Sequence, residues 1–102
     1  MQERRNECIN LVRVSNRKIN LIRFGDNEGK KHAEMKQQVC ELLQSQGKDF
    51  ITEAIFKTGG RADILVLDDF RVIEILDSEN IENLENKKKM YPKGLCIDYV
   101  YV

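Results

Sequence analysis

The stretch from Arg61 to Asp77, RADILVLDDFRVIEILD, constrains the fold more than any other part of the chain. Two apolar runs flank an acidic dipeptide, and each run carries one carboxylate where the pattern otherwise has a hydrophobe. With Asp68 and Asp69 as the loop of a hairpin, Leu67 faces Phe70, Leu65 faces Val72 and Asp63 faces Glu74. Both acids then point the same way. Opposed side chains on one face have Cβ atoms roughly 5 Å apart, so two like charges repel unless a cation lies between them or one acid keeps its proton. A hard divalent metal, which takes oxygen ligands, suits such a pair. A slip of one residue would turn Glu74 away from Asp63 and remove the site. The plainer reading is cross-strand ion pairing of these acids with Arg61, Arg71 or Lys57 on an exposed face. Against it stands their position inside apolar strands, where an unpaired carboxylate is costly to bury.

Around this hairpin the elements follow in order. Residues 7 to 14 and 19 to 24 are β-rich and are separated by the polar tetrad Ser15, Asn16, Arg17 and Lys18, which predicts an N-terminal hairpin over 7–24. Arg13, Arg17, Lys18 and Arg23 form either a positive face there or charges that discourage edge pairing. Gly25 to Gly29 is punctuation. From Lys30 to Gln46, Met35, Val39, Leu42 and Leu43 recur at helical spacing, and Gly47 supplies the stop. His32 and Lys36 lie at the border of that apolar stripe and Glu34 on the solvent side. The pair is open to two readings, projection toward a site or snorkelling over the core.

Ile51 to Lys57 reads as a strand containing Glu53, whose face depends on how many residues the following Gly59-Gly60 turn consumes. Asp77 or Ser78 caps a second helix that Lys87, Lys88 and Lys89 close, with Ile81, Leu84, Lys88 and Tyr91 on one face. Leu95 to Val102 is a final strand after Pro92. The 102 residues thus make a single domain, 1–102, of α/β class. Its hydrophobic runs predict that the 61–77 hairpin lies at the centre of a mixed sheet with cover on both faces.

Charge limits the partners. Seventeen basic residues balance 17 acidic ones, unlike a general nucleic-acid coat protein, although the basic surplus falls in the first third. Cys8, Cys40 and Cys96 show no paired spacing, imply neither zinc nor disulfides, and are expected to be small buried hydrophobes. No apolar run reaches the ~20 residues of a membrane span and the N-terminus lacks the apolar core of a signal peptide, so a soluble, cytoplasmic protein with no membrane partner is expected.

The α-β-β-β-α-β order over residues 28–102, with HAEMK, then TEAIFKTGGRAD, then VIEILDSE, resembles the restriction-endonuclease-like superfamily, the PD-(D/E)XK nucleases. The resemblance implies a nuclease-like core with a mixed central sheet, and a metal-dependent nuclease that hydrolyses DNA phosphodiester bonds. It assigns Asp63 and Glu74 to Mg²⁺ or Mn²⁺, together with a backbone carbonyl near Ile75. The motif lysine of that superfamily falls at Leu76, so another cation has to replace it. Lys36 on the first helix is the first choice, with His32 nearby, and the Lys87 to Lys89 run, Lys88 included, is the second. Glu53 and Arg61 are auxiliary candidates, Arg61 as a phosphate contact or as a neutraliser of Asp63. The alternative is an inactive module of the same fold that binds nucleic acid or a protein, with Leu76 marking lost chemistry. A homodimer is expected if duplex DNA is cut, since one chain offers one site.

Overall fold

The computed structural model describes residues 2–25, 28–77 and 81–102. Its elements are α1 (Gln2–Ile9), a short 3-10 turn (Val14–Asn16), α2 (Lys30–Ser45), β1 (Phe50–Ile55), β2 (Arg61–Val66), β3 (Arg71–Leu76), α3 (Ile81–Lys89) and β4 (Cys96–Tyr101). The strands form one mixed sheet in the order β1-β2-β3-β4, with β1, β2 and β3 antiparallel in turn and β4 parallel to β3. The central hairpin keeps the expected register, Leu65 opposite Val72. Its acidic turn is tied down from outside: Lys48 Nζ lies 2.7 Å from Asp69, the Asp49 amide donates to Asp68 at 2.9 Å, and Arg5 bonds Asp49.

Alternation along the central strands explains the apolar runs. Ile64, Val66 and Ile75 pack with Phe50, Cys40 and Leu43 on the face that α2 covers. Leu65, Leu67 and Val72 pack on the other face with Cys8 of α1, Val12, Phe56 and Tyr91. Both faces of the central strands are therefore largely covered, as near-continuous hydrophobic strands require. Helix α2 ends as its composition predicts: Gly47, at φ 71°, follows the cap, its amide reaches Gln44 O at 3.0 Å, and the Lys48 amide reaches Leu43 O at 3.0 Å. The solvent position of Glu34 also holds.

The expected hairpin over 7–24 does not form. Its first half is the end of α1 followed by Leu11–Arg13, which touches the β1 edge through a bridge of Val12 with Phe56 and the Arg13 amide on Ile55 O at 2.9 Å. The chain beyond it runs beside β1 without joining the ladder: the Asn20 amide donates to Phe50 O at 2.7 Å, and elsewhere side chains stand in for main-chain partners. Asn16 Oδ1 accepts the Ile55 amide at 2.8 Å, Asn20 Oδ1 accepts the Phe50 amide at 3.0 Å, and Thr52 Oγ1 accepts the Arg23 amide at 2.8 Å. Asn20 sits at φ 63°, which no regular strand permits. The β propensity is thus spent covering an edge.

Two smaller differences follow from the topology. Cys8 and Cys40 are buried, and burial pushes the Cys40 thiol up to about 12, but Cys96 is exposed because β4 is an edge strand. The cap expected at Asp77 or Ser78 lies partly outside the described residues, as do Asp26 and Asn27 of the glycine-flanked loop. Among the described residues no helix is long and apolar enough to cross a membrane.

Removing the Asn16 amide should expose the edge bonding to measurement. Asn16 is buried and holds the Ile55 N–H, so Asn16→Ala should lower stability by about 1–3 kcal/mol in urea unfolding, the cost of a buried unsatisfied donor. A change within experimental error would mean that this contact does not secure the edge.

Candidate functional site

The sheet opens at the two acids. The ladder between β2 and β3 pairs Ile64, Leu65 and Val66 with Ile73, Val72 and Arg71 and does not continue to Asp63. There the Asp63 carboxylate, rather than a main-chain carbonyl, accepts the Ile75 amide at 2.9 Å. Across on β1, the register skips from Thr52 opposite Ile64 to Ala54 opposite Ala62, and the residue left out, Glu53, has φ 50°. Glu53 therefore stands opposite Asp63. A non-glycine residue in the left-handed region costs energy and is found where the surroundings impose it, often at functional sites.

Asp63 and Glu74 converge as expected. Glu74 is 1% exposed, and burial first and then the Asp63 charge raise its pKa to about 8, opposed by the Tyr91 hydroxyl and Lys87. One retained proton relieves the repulsion within the pair. Tyr91 donates to Glu74 Oε1 and also lies 3.1 Å from the Arg61 carbonyl. Burial first, and then the Glu74 charge, push the tyrosine hydroxyl up, so it remains a donor. The second oxygen, Glu74 Oε2, is buried with no hydrogen-bond partner among the described residues, and Lys87 Nζ lies 3.7 Å from it.

Asp63 also faces α2. His32 Nε2 lies 3.3 Å from Asp63 Oδ2, and the opposite ring nitrogen meets Glu28. Glu28 in turn holds Lys36, whose ammonium is 2.8 Å from Glu28 Oε1, 3.0 Å from the Arg23 carbonyl and 3.7 Å from Glu53 Oε1, under the Phe24 ring. Lys36 is 0% exposed. Among the described residues its ion-pair partners within 4 Å are Glu28 and Glu53 rather than Asp63 or Glu74. The helix does turn it inward, but the loop before α2 supplies a carboxylate that captures it first.

Among the described residues the lysine within 4 Å of the pair is Lys87. Lys88 turns elsewhere, 6.0 Å from the centre of the Tyr99 ring. Arg61 is exposed and pairs with neither acid among the described residues, but with Gly60, Asp63, Lys87, Met90 and Tyr91 it lines a cavity of about 280 Å³ that opens at the site. Sequence reasoning missed Glu28 and Tyr91. Glu28 precedes the periodic segment, yet its spacing of four residues from His32 and eight from Lys36 was a usable signal. Tyr91 was assigned to a helical face, but α3 ends at Lys89.

The donor set fits a small hard cation. Two carboxylates meet, and among the described residues one of them has a buried oxygen without a hydrogen-bond partner. Among the described residues no group of three or more His, Cys, Asp or Glu side chains is arranged to hold a metal ion. Mg²⁺ asks less, commonly one or two carboxylates with water and phosphate completing the octahedron.

The raised Glu74 pKa makes stability depend on pH with a definite sign. Between about 4.5 and about 8 the folded chain keeps a proton that the unfolded chain has lost. This contribution is therefore fully present below about 4.5 and is lost as pH rises through about 8. The loss is on the order of a few kcal/mol. Glu74→Gln, which mimics the protonated acid, should flatten the profile of urea midpoints between pH 5 and pH 9 (~four units). An unchanged slope would show that Glu74 is not the group responsible.

No protein-family model matches this chain, and no curated protein or solved structure matches it.

Proposed function

We propose that this chain is a metal-dependent nuclease of the restriction-endonuclease-like kind that hydrolyses DNA phosphodiester bonds. The observation that carries the reading is the convergence of Asp63 and Glu74 at the opening of the sheet, with one buried oxygen of Glu74 lacking a hydrogen-bond partner. The order α2-β1-β2-β3-α3-β4 on a mixed sheet supports it, since that is the order the resemblance implies.

Asp63 and Glu74, with the Ile75 carbonyl, would hold Mg²⁺ or Mn²⁺. Such an ion neutralises charge on a phosphate and makes a bound water more acidic. The chain's own groups do the rest. Lys87, 3.7 Å from Glu74 Oε2, is the cation for negative charge developing on the phosphate, in place of the lysine absent at Leu76. Arg61, on the rim of the cavity, offers a fork of donors to a neighbouring phosphate. His32, with Nε2 3.3 Å from Asp63 Oδ2, keeps that carboxylate turned to the opening. Glu53 and Lys36 form the layer behind it, where Lys36 offsets the Glu28 and Glu53 charges.

A second reading has its own support: Lys36 is committed to Glu28 and Glu53, and Leu76 stands at the motif lysine, as in a module that binds without cutting. Incubation of the chain with plasmid, single-stranded and branched DNA, with and without Mn²⁺, separates the two. Cleavage should require the metal, fall by about 100-fold or more in Asp63→Ala, and fall by about tenfold or more in Lys87→Met. Lys36→Met should act chiefly on stability, by about 3–5 kcal/mol, because it strands buried carboxylates. No cleavage of any substrate by the unaltered chain would favour the binding module.

A further inference from the structure

We propose that Tyr91 is a positioning residue that makes Glu74 a one-oxygen ligand, engaging Oε1 so that only Oε2 is presented to a divalent cation. This rests on the metal-dependent reading above and adds the device that orients its buried acid.

The two oxygens of Glu74 are treated differently. Oε1 accepts from the Tyr91 hydroxyl, whereas Oε2 is buried with no hydrogen-bond partner among the described residues. A carboxylate engaged by a donor on one oxygen binds a cation through the other, in the geometry small octahedral ions favour. The tyrosine is itself anchored at several points. Its ring meets Phe56 edge-on at 5.4 Å between centroids, and its hydroxyl also lies 3.1 Å from the Arg61 carbonyl. The preceding residue is tethered by Thr58 Oγ1, which donates to Met90 O at 2.7 Å.

Gly60 completes the support. A Cβ at this position would come within 2.7 Å of Met90 O and 2.9 Å of Tyr91 Cδ1, so the turn before β2 admits the Met90–Tyr91 segment only because it carries glycine. Thr58 and Gly60 thus form a seat that delivers one hydroxyl from beyond α3 to one oxygen on β3. The surrounding charges are Asp63, Lys87 and Arg61, and none of them replaces that donor on Oε1 among the described residues.

The test compares Tyr91→Phe, which keeps the ring and deletes the hydroxyl, with the unaltered full chain. Mn²⁺ affinity is read by calorimetry and by water-proton relaxation, and cleavage of single-stranded DNA is followed across Mn²⁺ concentrations. Affinity for Mn²⁺ should fall about tenfold or more, and the cleavage rate should return to within about twofold of the unaltered chain at saturating Mn²⁺. Unchanged affinity in a folded Tyr91→Phe overturns the proposal, and so does a rate deficit that saturating Mn²⁺ does not repair. If Tyr91→Phe does not fold, Thr58→Val decides: a weakening of twofold or more supports the seat, and unaltered affinity overturns it. An unaltered chain that binds no Mn²⁺ and cuts nothing would overturn the nuclease reading itself, an outcome distinct from a working chain indifferent to Tyr91.

Discussion

One exchange of partners underlies the site: the main-chain N–H of Ile75 is held by the Asp63 carboxylate. A buried amide must find an acceptor, and here a side chain supplies it where the ladder between β2 and β3 stops. Asp63 is thereby fixed by a requirement of the backbone as well as by its charge. The neighbouring Glu74 follows, since β3 then runs past with its carboxyl turned into the protein. The fold tolerates that buried acid through a shared proton, a tyrosine hydroxyl and a lysine nearby.

The charges divide into two tiers. Behind Asp63, Glu28, His32, Lys36 and Glu53 form a closed set in which both ring nitrogens of His32 and the ammonium of Lys36 meet acids. In front, Lys87 and Arg61 border open space. The inner tier sets geometry, because removing one member strands its neighbours in a poorly solvated place. The outer tier is free to meet a ligand from solvent. Net neutrality of the whole chain conceals this arrangement, since the cations that face the opening are few and local.

How much of this was legible in the sequence depended on whether the signal was local. Helix α2 was readable because four apolar residues share a stripe and Gly47 stops it, and the Leu65–Val72 register followed from a two-residue turn. The segment before α2 was not, because Asn16 and Asn20 bond β1 through side chains, and no periodicity announces a side chain standing in for backbone. Lys36 was correctly turned inward, but its destination depended on Glu28, which precedes the periodic segment and is tied to it only by its spacing. Tyr91 sits past the end of α3, where helical phase has stopped, so its reach to Glu74 required the turn around Gly60 to be known.

The last strand has a consequence for how the molecule is assembled. β4 pairs in parallel with β3 only after the chain has passed through α3, with the Cys96 amide meeting Phe70 O and the Val102 amide meeting Leu76 O. A chain emerging from the ribosome delivers β1, β2 and β3 first and this strand last. Through that interval β3, rich in Val and Ile, has one edge unpaired, the arrangement that templates association between chains. The strand that follows α3 therefore guards the solubility of the strand that carries Glu74.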